Sequence, residues 1–222
     1  MSRILISCVS GLIVLAVLTA PCLAEQPTVF GPTGLIRVPG AYTAAPGSMA
    51  FSGHLSSDFQ SVNMVVGVID RLELSAAWVH QDQDGFFDSS CDEWSSGGSE
   101  SETIVSGKYR LWGEESRGYA LAAGIFDITN EFNSSVFATV EKTFRVGDTC
   151  VVGMAGFGEH NSLVDGLFAG AEVFLGRDYR LMMEYDGEDF NAAVHLPVKN
   201  KFDFGIGILS DSLYGSATYY LR

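Results

Sequence analysis

Phe202-Asp203-Phe204-Gly205-Ile206-Gly207-Ile208 alternates, without a break, a large apolar side chain with one that is small or charged. Successive side chains of a strand point to opposite faces, so this stretch has one greasy face and one face of different character. The rhythm recurs on both sides of it. Phe190, Ala192, Val194 and Leu196 alternate with Asn191, Ala193 and His195. Leu167, Ala169, Ala171, Val173 and Leu175 alternate with Phe168, Gly170 and Glu172, and Leu72, Leu74, Ala76 and Trp78 with Glu73, Ser75 and Ala77. Segments of roughly ten residues with this pattern, split by turn residues, are what a transmembrane β-barrel wall requires, since one face meets lipid and the other the lumen.

Extended along the chain, the pattern predicts an all-β, antiparallel, up-and-down transmembrane β-barrel of about 12 strands over residues 48–222. The predicted strands are Ser48–Ser57, Ser61–Val68, Arg71–His80, Thr103–Trp112, Tyr119–Ile128, Ser134–Phe144, Thr149–Phe157, Leu167–Leu175, Tyr179–Asp186, Phe190–Val198, Phe202–Leu209 and Tyr214–Leu221. The seventh is apolar on both faces, so its register stays open. The connections alternate in length. Gln81–Glu102, Thr129–Asn133, Gly158–Gly166 and Gly187–Asp189 fall on one rim; Ile69-Asp70, Gly113–Gly118, Arg145–Asp148, Gly176–Asp178 and Lys199–Lys201 fall on the other and are mostly tight. Long loops outside and short periplasmic turns are the expected asymmetry of an outer-membrane barrel with its N-terminus in the periplasm.

Ahead of the barrel, residues 1–24 read as a cleaved secretory signal. Arg3 supplies the positive start, Ile4–Leu18 the apolar stretch, and Ala24 the small residue at the cleavage point. Residues 25–47 are irregular, with prolines at 27, 32, 39 and 46, and form a lead segment that is either periplasmic or a plug in the lumen. The expected location is the bacterial outer membrane. The net charge of −14, or −15 once Arg3 is removed, excludes nucleic acid as a partner and excludes simple attraction to anionic lipid.

Charge sorts with the rims. The stretch 81–102 holds Asp82, Asp84, Asp88, Asp92, Glu93, Glu100 and Glu102 with no Lys or Arg, whereas Arg71, Arg117, Arg145, Arg177, Lys199, Lys201 and Arg222 gather at the opposite rim. Such rims are ordinarily just solvated. The acidic stretch could also hold divalent cations that bridge to lipopolysaccharide phosphates, or repel anionic polymers. Cys91 falls in that loop and Cys150 at a periplasmic turn. Those rims are roughly 25 Å apart, and disulfide Cα atoms must approach within about 7 Å, so no bridge is expected.

Facing polar residues inward gives a lumen set of His54, Glu73, Lys108, Arg110, Glu141, Glu172, Arg180, Glu184, His195 and Asp203. Charges of mixed sign in a narrow barrel call for buried pairing; the alternative is a polar path for sugars or ions, with Phe168 and Phe174 as inner aromatic platforms. Trp78, Trp112, Tyr119, Phe144, Tyr179 and Tyr214, near strand ends, read as interface girdles. A hydrolase would need acid and base groups gathered at one rim, for which His80, Asp82, Asp84, His160, Asp165 and Asp186 are the candidates. No G-x-S-x-G nucleophile motif accompanies them. Asp82-Gln83-Asp84-Gly85 with Glu93 at the twelfth position has calcium-loop spacing, but Phe86-Phe87 and flanking strands exclude an EF-hand. There is no C-x-x-C pair or pair of histidines at ligand spacing, and Gly31 and Gly34 lack the strand and helix of a phosphate loop. The sequence therefore indicates no catalytic residue, no cofactor and no metal site.

Two stretches carry a family resemblance. Gly31-Pro32-Thr33-Gly34-Leu35-Ile36-Arg37-Val38-Pro39-Gly40-Ala41 resembles the TGLI-x-x-P-x-A opening of the YjbH family of exopolysaccharide-associated outer-membrane proteins. Glu184-Tyr185-Asp186-Gly187-Glu188-Asp189-Phe190-Asn191 resembles that family's EYDG-x-D-x-N hairpin. The resemblance implies an accessory, non-enzymatic role in exopolysaccharide export or envelope assembly, with Thr33, Gly34, Leu35, Ile36, Pro39, Glu184, Tyr185, Asp186, Gly187, Asp189 and Asn191 as the matching positions. Partners would then be outer-membrane lipid and lipopolysaccharide, and polysaccharide-export proteins or the polysaccharide itself. A narrow porin-like channel, an outer-membrane hydrolase with rim carboxylates and a purely structural envelope barrel remain as alternatives.

Overall fold

In the computed structural model, twelve strands close on themselves, each hydrogen-bonded antiparallel to its two neighbours in the chain, with the first paired to the last. The structure describes residues 26–57, 59–81, 100–114, 118–131, 133–147, 149–159, 163–176, 179–199 and 201–221. The signal segment, most of the acidic loop with Cys91, and His160, Arg117, Arg177 and Arg222 lie outside them. The strands are β1 (Met49–Leu55), β2 (Phe59–Ile69), β3 (Leu72–Gln81), β4 (Glu100–Glu114), β5 (Tyr119–Phe126), β6 (Ser135–Val146), β7 (Thr149–Gly158), β8 (Gly166–Leu175), β9 (Tyr179–Tyr185), β10 (Phe190–Val198), β11 (Phe202–Leu209) and β12 (Ser212–Leu221). Closure leaves no unpaired strand edge, the condition for a sheet to stand in hydrocarbon.

The outer face is apolar. Phe202, Phe204, Ile206 and Ile208 all point outward from β11, and Leu167 and Phe190 are 74% and 81% exposed. A wall of such residues is lipid-facing; water would not tolerate so continuous an apolar surface. Asp203, Glu73, Asn191, His195 and Glu172 point inward and are buried. In β7 the open register resolves with Cys150, Val152 and Met154 inward. Cys150 is thus the second residue of a strand and buried in the lumen, rather than in the turn.

Where strand ends differ from the pattern, local chemistry explains it. β5 stops at Phe126 instead of Ile128, because Asp127 adopts a left-handed φ of 51° and its carboxylate accepts hydrogen bonds from Thr129 Oγ1 (2.7 Å) and the Asn133 amide (3.1 Å). β12 begins at Ser212 instead of Tyr214, because Ser210 and Asp211 alone make the turn, both with positive φ, as a two-residue hairpin requires. In β4 a register shift between Arg110 and Trp112 inserts Leu111, so Leu111 and Trp112 both sit exposed on the lipid side. A bulge of this kind breaks strict alternation.

The lead segment enters the barrel. Every residue from 26 to 42 is buried, and the chain leaves through the short-turn rim, where the Gly47 amide donates to Gly67 O (2.8 Å) before β1 starts. Inside, the segment folds on itself through the isolated bridges Pro27 to Thr33 and Gly34 to Pro39. A Cβ at Gly34 would strike the Val38 carbonyl oxygen, so the tight reversal requires glycine.

Candidate functional site

The lumen is a plug and its socket. Plug residues Val29, Phe30, Leu35, Ile36 and Val38 pack against inward wall residues Phe59, Val79, Ile104, Phe126, Phe137 and Phe168. Those wall residues cluster towards the long-loop end of their strands. Leu163 and Val164, from the β7–β8 connection, join the same cluster and cover the plug at that end. The lumen is therefore less polar than alternation suggests. Phe168 is inward and buried as expected, and Phe174, partly buried near the other end of β8, packs against the same cluster, while Phe59, Phe126 and Phe137 are further inner aromatics. Tyr214, expected in a girdle, is fully buried and stands within 2.6 Å of His54 Nδ1 through its hydroxyl. At the third position of β12 it lies within the strand rather than at its end, on the same inward face as buried Thr218.

The polar grip on the plug has two anchors. At the first, Glu73 of β3 accepts from the Thr33 amide (2.8 Å), the Thr33 hydroxyl (2.8 Å) and the Ala44 amide (2.8 Å). Lys108, opposite Glu73 in the β3–β4 register, lies 3.1 Å from its carboxylate and donates to Thr33 O (2.7 Å), Thr33 Oγ1 (2.7 Å) and Gly40 O (3.0 Å). Glu141 of β6 extends this anchor by accepting from the Ala41 amide (2.9 Å).

At the second anchor, Glu184 of β9 takes three consecutive plug amides. Arg37 N donates at 2.8 Å to one oxygen, and Ile36 N (3.0 Å) and Val38 N (3.3 Å) to the other. The Arg37 side chain runs on to Asp186, with Nη1 2.6 Å from Oδ2, and its guanidinium lies over the Phe30 ring. Asn191 of β10 donates to both Glu184 (3.1 Å) and Asp186 (2.9 Å), and Asp186 also accepts the Glu188 and Asp189 amides of its own turn. Burial pushes the Asp186 carboxyl up. The Arg37 guanidinium, the two turn amides and Asn191 outweigh it and hold the group below the ordinary carboxylate range. Gly187 has φ +110°, and a Cβ there would collide with the Asp165 carbonyl.

The two motif stretches therefore meet. Thr33 is held at the Glu73–Lys108 pair, Gly34 and Pro39 bridge each other, Leu35 lies against Gly170, and Ile36 is held at Glu184. Tyr185 Oη donates to Gly187 O (2.6 Å), and the Asp189 carbonyl accepts the Asp186 amide. Arg37, within the quoted opening but not singled out for a role, is the missed residue. Its signal was available, since it is the one cation in residues 25–47 and a buried charge needs a partner.

Four more predicted lumen residues, Glu172, Arg180, His195 and Asp203, form a third cluster towards the short-turn rim. Arg180 binds Glu172 (2.8 Å), Asp203 and the plug's Gln26 Oε1 (3.0 Å), and Asp203 Oδ1 reaches His195 Nδ1 (2.6 Å). Arg110 sits apart at the rim, 3.3 Å from Asp70 and over the Tyr42 ring. Of the rim hydrolase candidates that the structure describes, Asp165 has its carbonyl against Gly187, next to Asp186, and His80 stands apart from both. His80 points outward, stacked on Trp78 and bonded to Ser101, whereas Asp186 points inward to Arg37; Asp82, Asp84 and His160 lie outside the described residues. Among the described residues, no group of three His, Cys, Asp or Glu side chains could hold a metal.

A closed strand cylinder, apolar outside and packed with its own buried segment inside, defines a plugged transmembrane β-barrel of the outer-membrane type. No family model matches the chain, and no curated protein does. Among solved structures it is similar to the KdgM porin, with a TM-score of 0.48 and 10% identity over 79% of this chain and 99% of that one. The same porin in complex with disordered oligogalacturonate gives 0.49 and 11% over 79% and 99%. An outer membrane channel from Pseudomonas putida F1 gives 0.39 and 14% over 83% and 99%.

Proposed function

We propose that this chain is an outer-membrane barrel held shut by its own lead segment, with a non-enzymatic accessory role in exopolysaccharide export or envelope assembly. The observation that carries the reading is the docking of the Thr33–Pro39 stretch onto Glu184, Asp186 and Asn191, which links the two stretches resembling exopolysaccharide-associated barrels. A wall that commits its carboxylates to plug amides is built to keep the lumen filled. On this reading the chain reaches the outer membrane after loss of residues 1–24, and its partners are lipid, lipopolysaccharide and polysaccharide-export proteins or the polymer.

A second reading, a narrow porin-like channel, is favoured by one feature. The plug has only isolated bridges and no strand paired to the wall, so it can leave without breaking the barrel. Two measurements test the pair. Untreated full-length protein in planar bilayers is expected to show no openings, and frequent spontaneous openings would favour the porin. Deleting the gene is expected to remove extracellular matrix; an unchanged matrix overturns the exopolysaccharide role.

A further inference from the structure

The wall that grips the plug is far from neutral. Glu73, Glu141, Glu172, Glu184 and Asp203 face inward from their strands and are buried, and Asp186 follows β9. Among the described residues the buried wall cations opposing these six carboxylates are two, Lys108 and Arg180, which leaves a formal excess of four negative charges. The plug returns one positive side chain, Arg37. Otherwise it answers with dipoles, the amides of Thr33, Ile36, Arg37, Val38, Ala41 and Ala44. Two buried carboxylate oxygens of this inner face, Glu141 Oε1 and Glu172 Oε2, have no hydrogen-bond partner among the described residues.

We infer that the barrel, once its plug is displaced, is a cation-selective conduit that turns anions away, with Glu141 and Glu172 setting the preference. The inference rests on the plugged-barrel reading. Water entering the emptied lumen would rehydrate these carboxylates and so favour their charged form. Walls of low dielectric focus their field, and rings of Asp and Glu select cations in channels. The charges also span the barrel. Glu184 and Asp186 lie towards the long-loop rim, Glu141 midway along β6, and Glu73, Glu172 and Asp203 towards the short-turn rim. An acidic sugar would meet carboxylates at each level.

The test uses the full-length chain in a planar bilayer under a KCl gradient, with urea added in steps. Urea solvates peptide groups, so the plug, held by amide hydrogen bonds and side chains, detaches before a wall closed by twelve strand pairings. Openings are expected with a reversal potential displaced towards that of potassium, and Glu141→Gln and Glu172→Gln should each move it towards zero. Full-length Arg37→Ala should open at lower urea with the wild-type reversal potential, because selectivity belongs to the wall. Anion-selective or unselective openings overturn the inference. So does selectivity unmoved in both glutamine variants, or loss of the barrel before any opening. Openings without urea would instead count against the plugged-barrel reading, and their reversal potential would still decide selectivity.

Discussion

The two anchors hold the same plug by different means. At β3–β4, wall charges close on plug backbone and on the Thr33 hydroxyl, and the plug contributes no charge of its own. At β9–β10, the plug supplies the Arg37 guanidinium, and the wall supplies a carboxylate cup with a turn built around Asp186. The first anchor contains a complete ion pair even without the plug, since Glu73 and Lys108 face each other in register. The second is completed only when the plug is seated. One anchor is thus part of the wall's own stability, and the other is a latch.

That contrast breaks first at Lys108. Lys108→Met leaves Glu73 buried with its charge uncompensated, and truncating one member of a buried pair typically costs about 3–5 kcal/mol. The free energy of barrel unfolding, read from urea titration in micelles, should fall by that amount. Glu73→Gln with Lys108→Met should recover part of it, because the double variant leaves no lone charge. A double variant as unstable as the sum of the singles would deny the coupling.

Arg37→Ala should do less to the barrel and more to the plug. Asp186 keeps Asn191 and its two turn amides, so the main loss is the charged hydrogen bond from Arg37, about 1.5–3 kcal/mol, with the weaker contacts to Leu163 O and the Phe30 ring lost beside it. The pH dependence separates the anchors further. Because the folded Asp186 carboxyl is held low, its contribution is present above the unfolded carboxylate range near ~4 and is lost as pH falls through the lower folded value. In amide hydrogen exchange of residues 34–38, wild-type plug protection should therefore lose nothing through Asp186 until pH falls below ~4. In Arg37→Ala the loss should begin at higher pH, because the main charge stabilising the carboxylate is gone. An acid profile identical to wild type would remove Arg37 from the latch.

The wall anchors were legible in the sequence because they obey period two. Glu73 alternates with Leu72 and Leu74, and Asp203 with Phe202 and Phe204, so a charge set between two lipid-facing residues must face inward. The same rule failed where both faces are apolar. In β7, Cys150, Val152 and Met154 look no different from lipid-facing residues until the plug is placed, and the Leu111 bulge hides one residue from any strict period. The plug's path was not legible at all, since residues 26–44 have almost no regular structure and draw their hydrogen bonds from residues up to 156 positions away. What could be read was a requirement, that Arg37 in an apolar segment needs an acidic partner.

The smallest expected effect sharpens the latch most. Tyr185 sits in the same hairpin as Glu184 and Asp186, yet its ring points the other way, against Phe190 on the outer face, with its hydroxyl on the Gly187 carbonyl. Tyr185→Phe removes one neutral hydrogen bond, about 0.5–1.5 kcal/mol, and leaves every plug contact in place. Exchange at the Glu188 and Asp189 amides should quicken, while residues 34–38 stay as protected as in wild type. If they lost as much protection as in Arg37→Ala, the latch would depend on the rigidity of the turn. If they do not, the inward carboxylates alone hold it, and the outward half of the hairpin serves the membrane.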